Sequence, residues 1–192
     1  MSHWLYHTEG LILTGWPNGE TGRRFDIFTD RLGRITAQAT GVRELKSKLR
    51  YHLQELTAVR ISLVRGRGDW RIVYAETIQV KSFNLTERQT IARLFQLLAR
   101  LIIDEGRRWP VWQEIFSAYH LISQTSLAPA ELADFELLVV WRILTALGYC
   151  QASPPLTPFA TAPWSQKLIS DFNGHRQAAL LVVEQALYHS HL

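Results

Sequence analysis

Cysteine is nearly missing from this 192-residue chain, in which Cys150 stands alone. No intramolecular disulfide can form, and a structural zinc site, which takes four N or S ligands, has no cysteine set to start from. A lone thiol fits a reducing compartment. Long apolar runs are also missing: no stretch reaches the roughly 18 residues of a membrane span. The segment from Met1 to Gly10 has neither a basic n-region nor a long apolar core, so no secretory signal is expected. A Walker loop is absent, because Gly66-Arg67-Gly68 lacks the Gly-Lys-Ser/Thr ending that cradles a nucleotide. Asp26 and Asp30, four apart on a strand and its turn, do not converge as an acid/base pair would. The histidines are scattered as His3, His7, His52, His120 and His175, and the pair His189 and His191 has no third ligand in view. Cys150 reads as a small buried residue after a helix end rather than as a nucleophile. The expectation is a soluble cytoplasmic protein that is not an enzyme and has no cofactor and no metal.

What the chain does have is positive charge, unevenly placed. Residues 1–80 hold 12 Lys and Arg against 8 Asp and Glu, whereas residues 81–192 hold 9 of each, so the whole formal charge of +4 lies in the first part. Between Arg31 and Arg71 ten basic residues face only Glu44, Glu55 and Asp69, a local charge of +7. With a sequence pI near 9.5, nucleic acid is the leading class of partner. Anionic lipid would want a basic amphipathic helix, and none is evident. An apolar fraction of 47% is ordinary for a globular protein. A chain this long buries about 70% of its unfolded surface without staples.

The hydrophobic period divides the chain in two. Residues 4–14 read as a strand, Pro17 to Gly22 as a turn built on Asn18-Gly19, and Arg23 to Thr29 as a second strand. After the turn Asp30 to Gly33, a third strand runs to Thr40. A basic loop, Gly41 to Arg50, leads to strands over Leu56–Val64 and Trp70–Val80, joined by the glycine-rich Arg65 to Asp69. Five short strands with hairpin turns and one longer crossing predict a closed barrel of the OB type. From Lys81–Leu85 onward the period becomes 3.6. Helices are predicted from an N-cap at Thr86 to Gly106, from Pro110 to about Thr125, and from Pro129 to Gly148. Beyond the prolines 154, 155 and 158, a short helix over Trp164–Phe172 and a last one from Arg176 to about His189 are expected. The fold class is thus α+β, with a five-stranded OB-type nucleic-acid-binding barrel in residues 1–80 and an all-α domain in residues 81–192.

The chemistry-bearing residues are the basic ones on the barrel loops. Lys46, Lys48 and Arg50 recur at every second position, so an extended loop would point them one way. Arg65 and Arg67 flank glycines that let a phosphate approach the backbone. Such contacts hold phosphates without reading bases. Trp16, Phe28, Tyr51 and Trp70 are aromatic rings able to stack on unpaired bases if exposed. The alternative is a solvated basic face around an aromatic core. The helical part is rich in large rings (Trp109, Trp112, Phe116, Trp141, Phe159 and Trp164), most of them read as core. Arg93, Arg100 and Arg142 are candidates for the rim of an apolar groove that takes an acidic peptide ending in a hydrophobic residue.

A string of segments in one order carries a resemblance. It comprises Gly10 to Leu13, Gly19-Glu20, Phe28 to Ile35, Gly41-Val42-Arg43 with Lys46 to Leu49, and Leu63 to Gly68. Further on come Phe135 to Tyr149, ending in Leu147-Gly148-Tyr149. In order and spacing these resemble the RecO family of bacterial DNA repair and recombination mediators, well over Gly10 to Ile78 and more loosely over Leu85 to Tyr149. The resemblance implies an OB barrel with a helical domain and binding of single- and double-stranded DNA. It implies strand annealing and recombinase loading without nucleotide hydrolysis. It also implies RecR and the C-terminal tail of the single-stranded-DNA-binding protein as partners, and a cytoplasmic, nucleoid-associated location. On this resemblance the family's basic loop maps onto Arg43, Lys46, Lys48 and Arg50, and its basic strand-turn onto Arg31 and Arg34. Two departures stand out. Many members carry a cysteine-rich zinc module after the Leu-Gly-Tyr, where this chain has Cys150 to Pro155 with no second cysteine, and the chain stops at Leu192, earlier than the family leads one to expect. The competing function is a protein-interaction adaptor, in which the helical domain binds repair partners and the barrel has lost DNA binding.

Overall fold

A computed structural model describes residues 4–66, 68–78 and 82–189. Five strands form a closed barrel: β1 (Leu5–Asn18), β2 (Gly22–Thr29), β3 (Gly33–Ala39), β4 (Ala58–Arg65) and β5 (Trp70–Thr77), in the order β1-β2-β3-β5-β4. This is the five-stranded OB-type barrel expected from the sequence. β1 closes it by serving two neighbours: residues 5–11 pair with β4 and residues 10–18 with β2, both antiparallel. Gly10 belongs to both ladders, and a Cβ there would stand 2.7 Å from Ile27 Cγ2, so the crossing point needs a residue without a side chain. The remaining seam, β3 with β5, is parallel and only two pairs long, Ala37 with Trp70 and Gln38 with Arg71.

Strand alternation fills the barrel. Ile12, Phe25, Ile27, Ile35, Ala37, Val59, Ile61, Leu63 and Ile72 form one buried cluster, with Val42 and Leu53 added from the β3–β4 connection. β1 runs four residues past its predicted end, through Trp16 and Pro17, because only β2 flanks it there and Pro17 has no ladder bond to lose on its open side. Phe25 and Phe28 are both fully buried, although they lie on opposite faces of β2. The outer face of β2 is covered as well: Asp26 is 4% exposed and held by Arg34, whose Nη1 also donates to the carbonyls of Ala99 and Ile102.

The chain divides into two compact units, Met1–Val80 with Phe95–Trp109, and Lys81–Leu94 with Pro110–Leu192. Helix α2 (Leu85–Leu101) contributes to both. Its N-cap is Asn84 rather than Thr86: Asn84 Oδ1 accepts from the Glu87 amide at 2.9 Å, while Glu87 Oε2 accepts from the Asn84 amide at 3.0 Å. The helix ends at Leu101, short of Gly106, whose amide donates to the Leu32 carbonyl on the barrel.

The second unit contains α3 (Trp109–Gln124) from Pro110 onward, α4 (Pro129–Ala146), α5 (Gln166–Phe172) and α6 (Arg176–His189), with a short four-residue α1 (Leu49–His52) lying earlier, in the barrel unit. α4 is buried on most sides, with Phe135, Leu138, Val139, Trp141 and Leu144 inward, and it packs on α5 and α6. Asp134 ties these elements by accepting from Arg176 at 2.5 Å and Asn173 at 2.7 Å. Among the described residues no helix is long and apolar enough to cross a membrane.

Candidate nucleic-acid interface

The β3–β4 connection is coiled rather than extended. Gly41 takes a φ of +64°, and amides bond back three residues, Glu44 to Gly41, Ser47 to Glu44 and Arg50 to Ser47. The loop then enters α1. Three anchors fix it: Val42 and Leu53 sit in the barrel core, the Arg43 amide donates to the Thr21 carbonyl, and the Thr77 amide donates to His52 Nδ1 at 3.2 Å. The alternation of Lys46, Lys48 and Arg50 therefore does not align them along one edge of an extended strand. The turns instead leave Arg43, Lys46, Lys48 and Arg50 all exposed between the anchors.

These four cations have no ion pair and no side-chain hydrogen bond among the described residues, and Glu44 is the one acid between them. Three other basic residues of the barrel strands are engaged. Arg23 meets Glu55 at 3.0 Å, Arg24 meets Asp69 at 2.7 Å, and Arg60 lies between Glu9 and Glu76. A charge already met by a carboxylate must give up that partner to hold a phosphate, whereas an unmet one exchanges only its counterion. Arg43 and Arg50 line a pocket of about 600 Å³ with Pro17, Arg23, Val42, Leu53 and Gln54. Tyr51, 72% exposed, stands beside Arg50 in α1.

The remaining sequence candidates are placed differently. Arg31 is exposed on the β2–β3 turn, 3.7 Å from Asp30. Arg34 is a strut: Nε lies 2.9 and 3.0 Å from the two Asp26 oxygens, Nη2 is 2.7 Å from Oδ2, and Nη1 is spent on two carbonyls. With Nε and both η nitrogens engaged by internal acceptors, this guanidinium is committed to the fold rather than to a phosphate. Arg65 lies over the Trp70 ring at 4.5 Å and pairs with Glu105 at 2.6 Å, while remaining half exposed. Arg67 lies outside the described residues. Of the four rings read as stacking candidates, Phe28 and Trp70 are buried, at 0% and 5% exposure, and Trp16 and Tyr51 are open. Phe28 sits on the covered outer face of β2, and the Trp70 indole donates to Glu105.

In the helical unit, Arg142 is buried. It donates to Glu114 and to the carbonyls of Phe159 and Ala162, and lies over Trp164. Burial pushes its pKa down, and Glu114 opposes that. Arg93 is clamped bidentately by Glu136, 2.6 Å to each oxygen, and that hydrogen bonding raises its pKa. Arg100 is exposed and groups with the barrel unit. Arg142 faces inward, where two carbonyls and Glu114 take its donors, and Arg93 is spent on Glu136. The aromatic surplus divides: Trp112, Trp141 and Phe159 are buried, Phe116 and Trp164 are half-buried, and Trp109 is exposed. Among the described residues no group of three or more His, Cys, Asp or Glu is placed to hold a metal. The H-x-H pair falls where His191 and the His189 side chain are outside the described residues.

Sequence reasoning passed over Arg23 and Arg71. Arg23 joins the loop pocket from β2, and Arg71 is exposed on β5 without an ion pair among the described residues. The available signal was strand alternation, which sets both opposite or beside core positions.

Residues 1–81 match the family described as Recombination protein O N terminal. Over longer spans the chain is similar to proteins named DNA repair protein RecO. It is 31% identical over 157 residues to the one from Alkaliphilus metalliredigens, covering 80% of this chain and 61% of that protein. It is 30% identical over 150 residues to that of Nocardioides sp., covering 76% and 60%. It is 28% identical over 151 residues to that of Heliobacterium modesticaldum, covering 76% and 52%. The chain spans about half to three-fifths of the length of these relatives.

Proposed function

The chain belongs to the RecO family, and on that footing we propose that it is a DNA-binding recombination mediator. It holds single- and double-stranded DNA through phosphates, promotes annealing of complementary strands and loads a recombinase in recombinational repair, without hydrolysing nucleotide. The observation that carries this reading is the cluster of Arg43, Lys46, Lys48 and Arg50, exposed together on an anchored loop and unmatched by internal carboxylates among the described residues. RecR and the acidic, hydrophobic tail of the single-stranded-DNA-binding protein are its proposed protein partners. The bacterial cytoplasm, at the nucleoid, is its proposed location.

The adaptor reading has one observation in its favour. OB barrels commonly bind oligonucleotides on the face of strands 2 and 3, and here Asp26, Phe28 and Arg34 on that face are buried or engaged. A salt titration separates the two. If the four loop cations each neutralise one phosphate of a single strand, the slope of log K against log salt is about −2.8, and affinity falls about 50-fold between 50 and 200 mM salt. Fluorescence anisotropy with a labelled oligothymidylate measures it. A flat response would favour the adaptor.

A further inference from the structure

The wall formed by β1, β4 and β5 has an outer face with a regular pattern. On β4, Ile61 and Leu63 belong to the core, so alternation turns Arg60, Ser62 and Val64 outward. Cross-strand partners share a face, and the ladders set three rows across the wall. The first row is Leu5, Val64 and Arg71, the second is His7, Ser62 and Tyr74, and the third is Glu9, Arg60 and Glu76. A bulge opposite Ser62 and Leu63 leaves Val73 as an extra residue on β5 beside Tyr74. Leu5, Val73 and Tyr74 are each about half exposed. Ser62, at the centre, is buried, and its Oγ lies 2.9 Å from His7 Nδ1. Strands about 4.8 Å apart and alternate residues about 6.8 Å apart give a face of about 10 by 14 Å between Cα atoms.

Charge on this face is divided by row. Arg71, in the first, is exposed and has no ion pair among the described residues. In the third, one guanidinium serves two carboxylates: Arg60 hydrogen-bonds Glu9 at 3.3 Å and lies 3.6 Å from Glu76. The first row therefore has one cation in excess and the third one anion in excess, on either side of an apolar and hydroxyl-bearing middle. That pattern is complementary to itself. A two-fold axis along the middle row lays each strand antiparallel over its own copy. Tyr74 then meets the second copy's Tyr74, and Arg71 meets Glu76 twice, once in each direction. An axis along the strands would instead set Arg71 over Leu5, with no acid opposite.

We propose that the β1–β4–β5 wall is a self-association surface, pairing two copies of this chain about the row His7–Ser62–Tyr74. A standard interface takes about 800 Å² from each partner, and this face falls short of that, so the pairing is weak and concentration-dependent. The inference goes beyond the DNA-binding reading and does not rest on it, since Arg43, Lys46, Lys48 and Arg50 take no part.

Sedimentation equilibrium of the full chain, loaded from micromolar to millimolar concentration, tests it. The average mass is expected to rise from the 22.1 kDa of one chain toward that of two. Arg71→Glu and Glu76→Arg each put like charges across the axis, and each should weaken association at least about fivefold. The double variant restores opposite charges and should return to within about twofold of the parent. Tyr74→Ala should weaken association, and Tyr74→Phe should keep most of it. Circular dichroism confirms that each variant is folded. A mass of one chain at every concentration, or single reversals that leave the parent's curve unchanged, would overturn the proposal. A double variant no better than the single ones, or growth past two chains, would overturn the two-fold arrangement and the proposal with it.

Discussion

Replacing Arg34 by alanine separates a strut from a phosphate contact. In the structure Arg34 fills Asp26, whose side chain is 6% exposed, with three hydrogen bonds of 2.7 to 3.0 Å, and closes the carbonyls of Ala99 and Ile102. Alanine leaves a buried carboxylate without its cation and two carbonyls without a donor. Breaking a buried pair from one side costs about 3–5 kcal/mol, and the lower end applies because Arg34 itself is 27% exposed. For a chain of this size about 3 kcal/mol lowers Tm by roughly 6–12 °C. Differential scanning calorimetry reads the shift, and DNA affinity measured at a temperature where the variant is folded should stay within twofold of the parent. The double variant Asp26→Leu with Arg34→Leu should recover much of the loss, since an apolar pair of similar volume removes the charge that was stranded. A Tm change under about 2 °C, with a loss of DNA affinity, would refute the strut and return Arg34 to the binding surface.

Lys46→Ala, Lys48→Ala and Arg50→Ala together should reduce the single-strand salt slope by about two and move Tm by less than about 2 °C, because exposed loop charges contribute little to stability; an unfolded triple variant would contradict this. Gly33→Ala should destabilise by more than about 1–2 kcal/mol, because Gly33 has φ +70° and an added Cβ would stand 2.2 Å from the Gly106 carbonyl oxygen; an unchanged denaturant midpoint would count against the contact. The carboxyl of Glu131 is held below the usual glutamate range by the Gln166 amide and then by the Ala128 N–H. Folding therefore favours its ionised form, so its contribution is present above its unfolded pKa and fades as pH falls through the lowered value. Glu131→Gln should flatten the Tm–pH curve on that acid limb, and an identical curve would argue against it.

The strands and most helices were legible because their signals are local. Ala58 to Val64 alternates, Asn18-Gly19 fixes a tight turn, and Pro129 opens a helix at its first position. What was not legible depends on partners far away in sequence. Nothing local tells that Ala99 and Ile102 receive Arg34, so a basic residue on an alternating strand looked free to bind phosphate. Trp70 was ambiguous for the same reason, since its acceptor Glu105 comes from beyond the barrel strands, and Phe28 lies on the face of β2 opposite Phe25, so alternation alone does not bury it. The basic loop was found by charge alone. Its shape was missed because the i to i+3 amide bonds from Gly41 to Arg50 coil a segment whose lysines repeat with the period of a strand.

The recruitment of Phe95–Trp109 into the barrel unit bears on how the protein can be taken apart. The chain leaves that unit after Val80, returns at Phe95 and leaves again after Trp109, so neither unit is one unbroken stretch of sequence. A fragment ending at residue 81, where the family match ends, keeps all five strands. It loses Glu105, which takes both Arg65 and the Trp70 indole, and the two carbonyls that finish Arg34. Helix α2 is continuous through the exchange, so melting its first turns in one unit frays the last turns that serve the other. A cut drawn on the sequence at residue 80 therefore falls inside a set of contacts that reaches on to Trp109.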